Sequence, residues 1–68
     1  MLQLSDKWAP RLLAQPETGM GYQIASVILR DGKRFDQVMI VGGFITQVGD
    51  NKEIPFKEEQ IVDIRVKP

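Results

Sequence analysis

From residue 21 onward, hydrophobic and polar positions alternate at short intervals, and turn-forming residues interrupt them regularly. This spacing is typical of β-strands, and no helical stripe of useful length accompanies it. The first strand is predicted at residues 22–29, where both faces carry apolar side chains. A strand of this kind is buried on both sides for part of its length, or it curves through a barrel.

Two glycine-containing turns divide the following segment into a three-stranded meander. Asp31-Gly32 supplies the positive φ angles that a tight hairpin requires, and Gly42-Gly43 supplies a second turn of the same kind. We therefore predict the second strand at residues 33–41 and the third at residues 44–48.

The second strand changes phase along its length. Phe35 belongs to one face, whereas Val38 and Ile40 belong to the other. One extra residue in a strand produces such a change, so we predict a β-bulge near Asp36-Gln37. A bulge here would help a small sheet to curl.

Three short elements are predicted after a polar turn at residues 49–52. Residues 53–56 are expected to form a short strand, which Pro55 confines to a sheet edge because proline has no N–H group. Residues 57–60 are long enough for one helical or 3₁₀ turn. Residues 61–66 alternate cleanly and are predicted to be the last strand.

The first nineteen residues follow a different pattern, because Pro10, Pro16 and Gly19 prevent any long regular element. We therefore divide the chain into an N-terminal arm, residues 1–19, and a small β-barrel domain, residues 20–68. At 68 residues the chain is too short for more than one hydrophobic core.

The arm carries large apolar side chains that must be covered. Ser5 is placed to cap a short turn that contains Trp8. Two arrangements remain open: Trp8, Leu12 and Leu13 cover an open end of the barrel, or they dock on another chain.

The expected fold is a small five-stranded barrel or a strongly bent antiparallel sheet, with an irregular N-terminal arm and one short helical or 3₁₀ turn. This order of elements resembles the SH3-like small barrels. Within that group, Val27-Ile-Leu-Arg-Asp-Gly-Lys-Arg-Phe35 resembles the first half of an Sm-type motif, in which a hydrophobic strand meets an Asp-Gly-basic turn and then an aromatic residue. The resemblance implies RNA binding. The chain lacks that family's later loop ending in Asn, and Val66 follows Ile64-Arg65 where the family has Gly.

The amino-acid composition limits the catalytic and metal-binding functions that the chain can have. The chain has no cysteine and no histidine, which removes disulfides, thiolate metal sites and the commonest general base. Carboxylate pairs such as Glu58-Glu59, or Asp31 with Asp36, are better explained as surface charges and a hairpin turn. Asp50, Asn51 and Glu53 are better explained as a polar turn than as a cation site. We predict no enzyme activity, no cofactor and no metal site.

The distribution of charged residues suggests nucleic-acid binding as an alternative to protein binding. Lys and Arg number 9 and Asp and Glu number 9, so nothing draws the whole chain toward nucleic acid. Arg30, Lys33 and Arg34 nevertheless cluster around one hairpin. Aromatic residues elsewhere on the sheet could stack on bases, as in RNA-binding and single-stranded DNA-binding proteins; they are Tyr22, Phe35 and Phe44.

The function that these patterns favour is a non-catalytic interaction module, which binds a protein partner or forms a homo-oligomer through a strand edge, the arm, or both. The alternative is binding of RNA or single-stranded nucleic acid through the basic hairpin. No segment is long and apolar enough for a membrane span, and we expect a cytoplasmic protein. The candidate partner-binding residues are Trp8, Leu12, Leu13, Arg30, Lys33 and Arg34.

Overall fold

A computed structural model describes residues 1–67, in which five antiparallel strands form one curled sheet, a half-barrel. The predicted mostly-β fold is confirmed. The order of the strands across the sheet is β1-β4-β3-β2-β5. The strands are β1 (Leu2–Gln3), β2 (Gln23–Leu29), β3 (Arg34–Val41), β4 (Phe44–Val48) and β5 (Ile61–Val66).

In the described part of the chain, helical structure is limited to three short elements. The arm contains a 3₁₀ turn, Asp6–Trp8, followed by the helix α1, Ala9–Leu13. A second 3₁₀ turn, Glu58–Gln60, precedes β5, as the sequence predicts. Over residues 1–67, no helix has the length and apolarity needed to cross a membrane.

Both glycine turns form the predicted hairpins. Gly32 has a φ of 90°, and the Lys33 N–H donates to the Asp31 carboxylate at 3.0 Å. Gly42 and Gly43 have φ angles of 55° and 84° and connect β3 to β4 directly. Two consecutive positive φ angles match the twist of the flanking strands, which explains why two glycines stand at this position.

The predicted bulge in β3 is confirmed. Ala25 pairs with Val38 but Val27 pairs with Phe35, so two residues of β3, Asp36 and Gln37, lie opposite the single residue between Ala25 and Val27. Gln37 adopts a φ of 58°, a left-handed conformation that residues other than glycine rarely adopt. The bulge turns the strand and contributes to the curl of the sheet.

The short strand expected at residues 53–56 is not present, and the fifth strand comes from the arm. Leu2 pairs with Ile45, and Gln3 pairs with Phe44, at the edge of the sheet beside β4. Residues 53–56 are instead irregular, and Phe56 turns into the core with 5% exposure. Pro55 supplies no N–H for strand pairing, whereas burial of Phe56 stabilises the irregular course.

A further bulge, which the alternation of residues did not indicate, lies in β5. Leu29 pairs with Ile61 and Ile28 pairs with Asp63, which leaves Val62 without a partner in β2. Val62 is consequently 51% exposed, while Ile61 lies in the core.

The core lies on the concave side of the sheet, and the arm completes it. Val27, Val38, Ile45 and Ile64 are almost inaccessible to solvent. Leu4, Trp8 and Leu12 of the arm belong to the same buried cluster. Burial of three such side chains contributes about 5 kcal/mol or more, which is similar to the whole net stability of a small domain. The arm is therefore part of the fold rather than an appendage.

The left-handed conformation of Gln37 gives a test of the bulge. We expect Gln37→Gly to raise the free energy of unfolding by about 0.5 kcal/mol, since glycine adopts positive φ without steric cost. Gln47→Gly, in the interior of β4, is the matched control and should lower it by about 0.5–1 kcal/mol. Urea denaturation measures both changes, and equal destabilisation by the two variants would contradict the bulge geometry.

Candidate functional site

The three apolar arm residues that were predicted to bind a partner differ in exposure. Trp8 and Leu12 are 7% and 8% exposed, and they cover the open side of the half-barrel. Leu13 is 84% exposed. Of the two arrangements considered for the arm, Trp8 and Leu12 adopt the first, and Leu13 is the one that faces solvent. Contact of any of these residues with a partner stays a prediction.

Two contacts to carboxylates hold the arm against the rest of the domain. The Ser5 N–H donates to the Glu58 carboxylate. The Ser5 side chain makes no capping hydrogen bond to the following turn, contrary to the prediction. Arg11 forms an ion pair with Asp63 of β5. The Arg11 guanidinium also lies 6.0 Å from the centre of the Trp8 ring, within the range of a cation–π interaction.

These contacts lower the pKa values of the two carboxyl groups. The hydrogen bond from the Ser5 N–H stabilises the ionised form of Glu58 and lowers its pKa. A hydrogen bond from Arg65 is the largest cause of the lowered pKa of Asp63, and the charge of Arg11 adds to it. Both groups therefore stay ionised at neutral pH, where they hold the arm.

A groove with a volume of about 700 Å³ lies between the arm and the β3–β4 hairpin. We call it the arm groove. Leu12 and Ile40, both buried, contribute to its lining, together with the exposed Leu13 and the half-buried Tyr22. Gly42 and Gly43 contribute on the hairpin side. Its size falls within the range of sites that bind small molecules or peptide side chains.

Gln23 is the buried polar residue of this groove, with 9% exposure. Its side-chain Nε2 donates to the carbonyl oxygen of Leu12 at 2.9 Å, and it lies 3.2 and 3.3 Å from those of Gln15 and Pro16. These bonds fix the end of the arm against the start of β2. Gln23 is not among the residues predicted from the sequence, although a glutamine in a strand with two apolar faces was the signal that could have identified it.

The outer, convex face of the sheet carries a second apolar surface. Ile24 pairs with Met39, and Val41 pairs with Phe44, so these side chains follow one another across β2, β3 and β4. Their sequence neighbours Ala25 and Ile40 are buried on the concave face, and alternation therefore places the four on the convex face.

We call these four residues the outer stripe. Val41 is 39% exposed, and the other three are partly exposed. Because side chains alternate along a strand, Arg34 and Arg65 lie on the same convex face, each beside an aspartate. The face is therefore apolar at one end and carries ion-paired charges at the other.

The basic hairpin brings together the residues that were expected to bind nucleic acid, and acidic residues accompany them. The Lys33 Nζ lies 3.9 Å from Oδ2 of Asp31, and the Arg34 Nε lies 2.9 Å from Oδ1 of Asp36. Within residues 1–67, Arg30 makes no ion pair.

The aromatic side chains that were expected to stack on bases do not form one platform with this hairpin. Phe35 packs against Phe56, with ring centres 5.2 Å apart, and it adds to the core. Tyr22 lines the arm groove, and Phe44 belongs to the outer stripe.

Asp31 and Asp36, one of the carboxylate pairs considered for catalysis, hold local structure. Asp31 accepts from the Lys33 N–H in the hairpin turn. Asp36 accepts a hydrogen bond of 2.6 Å from the Ser26 hydroxyl, which is the largest cause of its lowered pKa. A lowered pKa opposes proton donation at neutral pH. In the part of the chain that the structure describes, no group of three or more Asp or Glu residues is arranged to hold a metal ion.

Comparison with known protein families, with curated proteins and with solved structures gives no match. The function is therefore inferred from the geometry of the chain itself.

The arm contacts predict an acid-sensitive arm. Because folding lowers the pKa of Glu58 and of Asp63, their contribution to stability is full only above the unfolded-state pKa values, from about pH 5.5 upward, and it is lost as the pH falls further. Trp8 is the single tryptophan, so its fluorescence reports the arm directly. We expect Glu58→Gln to lower stability at pH 7 and to weaken the loss of stability between pH 7 and 3 in urea denaturation.

Glu59→Gln is the matched control for this experiment, since Glu59 is exposed in the same 3₁₀ turn. It should leave both the stability at pH 7 and its pH dependence unchanged. If Glu58→Gln behaves like Glu59→Gln, the Glu58–Ser5 contact does not hold the arm.

Proposed function

We propose that this protein is a non-catalytic interaction module, which binds a second copy of itself or another protein. The outer stripe carries the proposal: apolar side chains that are exposed or partly exposed cross three adjacent strands on the convex face of the sheet. Contiguous apolar surface on a small protein is typical of an interaction site. This surface differs from the arm surface predicted from the sequence, since Trp8 and Leu12 are buried.

The charges beside the outer stripe are compatible with self-association. Arg34 with Asp36 and Arg65 with Asp63 form ion pairs within the chain, which reduces the repulsion between two copies of this face. A stable interface buries about 800 Å² on each partner, roughly one sixth of the 4542 Å² that the chain exposes. An interface of this size requires a whole sheet face rather than one side chain.

The half-barrel also supports a relation to the SH3-like barrels as a proposal. Its support is the meander of β2, β3 and β4, the 3₁₀ turn before β5, and the return of β5 to pair with β2. We expect a cytoplasmic location, which imaging of the tagged protein would test.

Substitution of the outer stripe tests the interaction. We expect Val41→Glu to raise the dissociation constant about tenfold or more, because the interface would bury an unpaired charge. Val62→Glu makes the same change at another exposed strand valine and should have little effect. Sedimentation velocity measures self-association, and a pull-down followed by direct binding measures another partner. A monomer that retains no protein partner contradicts the proposal.

Nucleic-acid binding through the basic hairpin is the second candidate, and Arg30 favours it because it makes no ion pair with any residue that the structure describes. It predicts affinity for single-stranded oligonucleotides that falls as salt rises, since phosphate contacts release counterions. Replacing Arg30, Lys33 and Arg34 by Ala should weaken that affinity, and replacing Lys52 by Ala should change it little. Fluorescence anisotropy measures both effects, and absence of binding at low salt excludes this candidate.

A further inference from the structure

We infer that the arm groove binds a peptide segment of a partner protein in which a bulky apolar side chain stands next to a lysine or arginine. This inference rests on the proposed function as an interaction module, and it names a second surface and the chemistry of its partner. The arm groove and the outer stripe are formed by different side chains, so each can be tested without the other.

The apolar part of the partner follows from the exposed residues at the groove. Leu13 lines it and is 84% exposed, although a leucine normally finds cover in a folded chain. Met20, which is 100% exposed, directly precedes the groove residue Gly21. An apolar side chain between Leu13, Leu12 and Ile40 would remove this surface from water and gain the corresponding transfer free energy.

The positive charge of the partner follows from charge complementarity. Among the described residues that line the groove, Glu17 alone carries a charge. Its Oε2 accepts the Gly21 N–H at 2.7 Å, which holds the carboxylate at the groove. A lysine or arginine beside the apolar side chain would pair with this carboxylate, whereas an acidic residue would be repelled.

Hydrogen bonding points to the same partner. Nε2 of Gln23 donates to carbonyl oxygens of the arm, so Oε1 of the same amide is the atom left to accept a donor from a ligand. Gln23 and Glu17, both with acceptor atoms, therefore line a groove whose described lining includes no cationic side chain. A peptide supplies backbone N–H donors for Gln23 and the cationic group of a lysine or arginine for Glu17.

The groove is shaped in advance for such a ligand. Tyr22 lies against Gly19, where a Cβ atom would come within 2.4 Å of the ring, so a larger residue at position 19 would displace the tyrosine from the groove wall. On the hairpin side, Gly42 and Gly43 present backbone without side chains. Extended peptides can approach such backbone closely.

The test is a titration of the ¹⁵N-labelled protein with the peptide Gly-Leu-Lys-Leu-Lys-Gly, followed by NMR. Two comparison peptides replace both lysines by glutamate or both leucines by serine. We expect the Leu-Lys peptide to bind with a dissociation constant on the order of 0.1–1 mM, because it contacts only a few side chains. The shifted signals should include the Gln23 side-chain amide and the Gly42 and Gly43 amides, and both comparison peptides should bind more weakly.

Two variants separate the apolar contribution from the charge. Leu13→Gln keeps helix propensity and should weaken binding about tenfold, since a leucine contact is lost. Glu17→Gln keeps an acceptor for the Gly21 N–H and removes only the charge, so it should weaken binding about two- to fivefold. Val62→Thr and Glu53→Gln are the matched controls, and they should leave the affinity unchanged.

Several results would overturn the inference. The first is absence of binding at millimolar peptide, and the second is equal binding of the Leu-Lys and Leu-Glu peptides. The third is a set of NMR shifts confined to the outer stripe. The fourth is a shift of the Gly42 and Gly43 signals that depends on protein concentration in the absence of peptide, because a second copy of the chain would then occupy the groove. The effect of Val41→Glu on self-association remains a separate measurement, so failure of the groove is distinguishable from failure of the proposed function.

Discussion

The structure depends on the burial of the arm against the open side of the half-barrel. A five-stranded sheet of this size cannot enclose a core by itself, and the concave side would expose Val27, Val38 and Ile45. Trp8 and Leu12 cover that side and become part of the core. No disulfide contributes, because the chain has no cysteine. Packing of the arm takes the place that a covalent link has in many small domains.

The arm needs directional contacts as well as apolar burial, because five residues of α1 are too few to form a stable helix alone. Three separate bonds locate it: Ser5 to Glu58, Arg11 to Asp63, and Gln23 to the carbonyl of Leu12. The first two depend on ionised carboxylates, whereas the third is neutral. The shape of the arm groove therefore depends on the same contacts that attach the arm, since Gln23 and Leu12 also line the groove.

The same arrangement divides the surface of the chain by chemistry. On the concave side, the arm buries the apolar residues and leaves a groove with one carboxylate. On the convex side, bulges and alternation bring an apolar stripe to one end and balanced ion pairs to the other. Histidine and cysteine are missing from the composition, Asp31 accepts a hydrogen bond in a turn, and Asp36 accepts one from Ser26. The proposed binding function is based on the two surfaces.

Local signals in the sequence determined the meander, since the turns at Asp31-Gly32 and Gly42-Gly43 and the bulge at Gln37 depend on residues close together in the chain. Tertiary packing decided the rest. The arm supplied β1 and Phe56 turned inward, because burial of apolar area outweighed the weak strand preference of residues 53–56. The arm groove joins the arm, β2 and the β3–β4 hairpin, and no local pattern indicates which distant residues will meet. The hydrogen bond of Gln23 to the arm therefore depends on the tertiary position of the arm over the sheet.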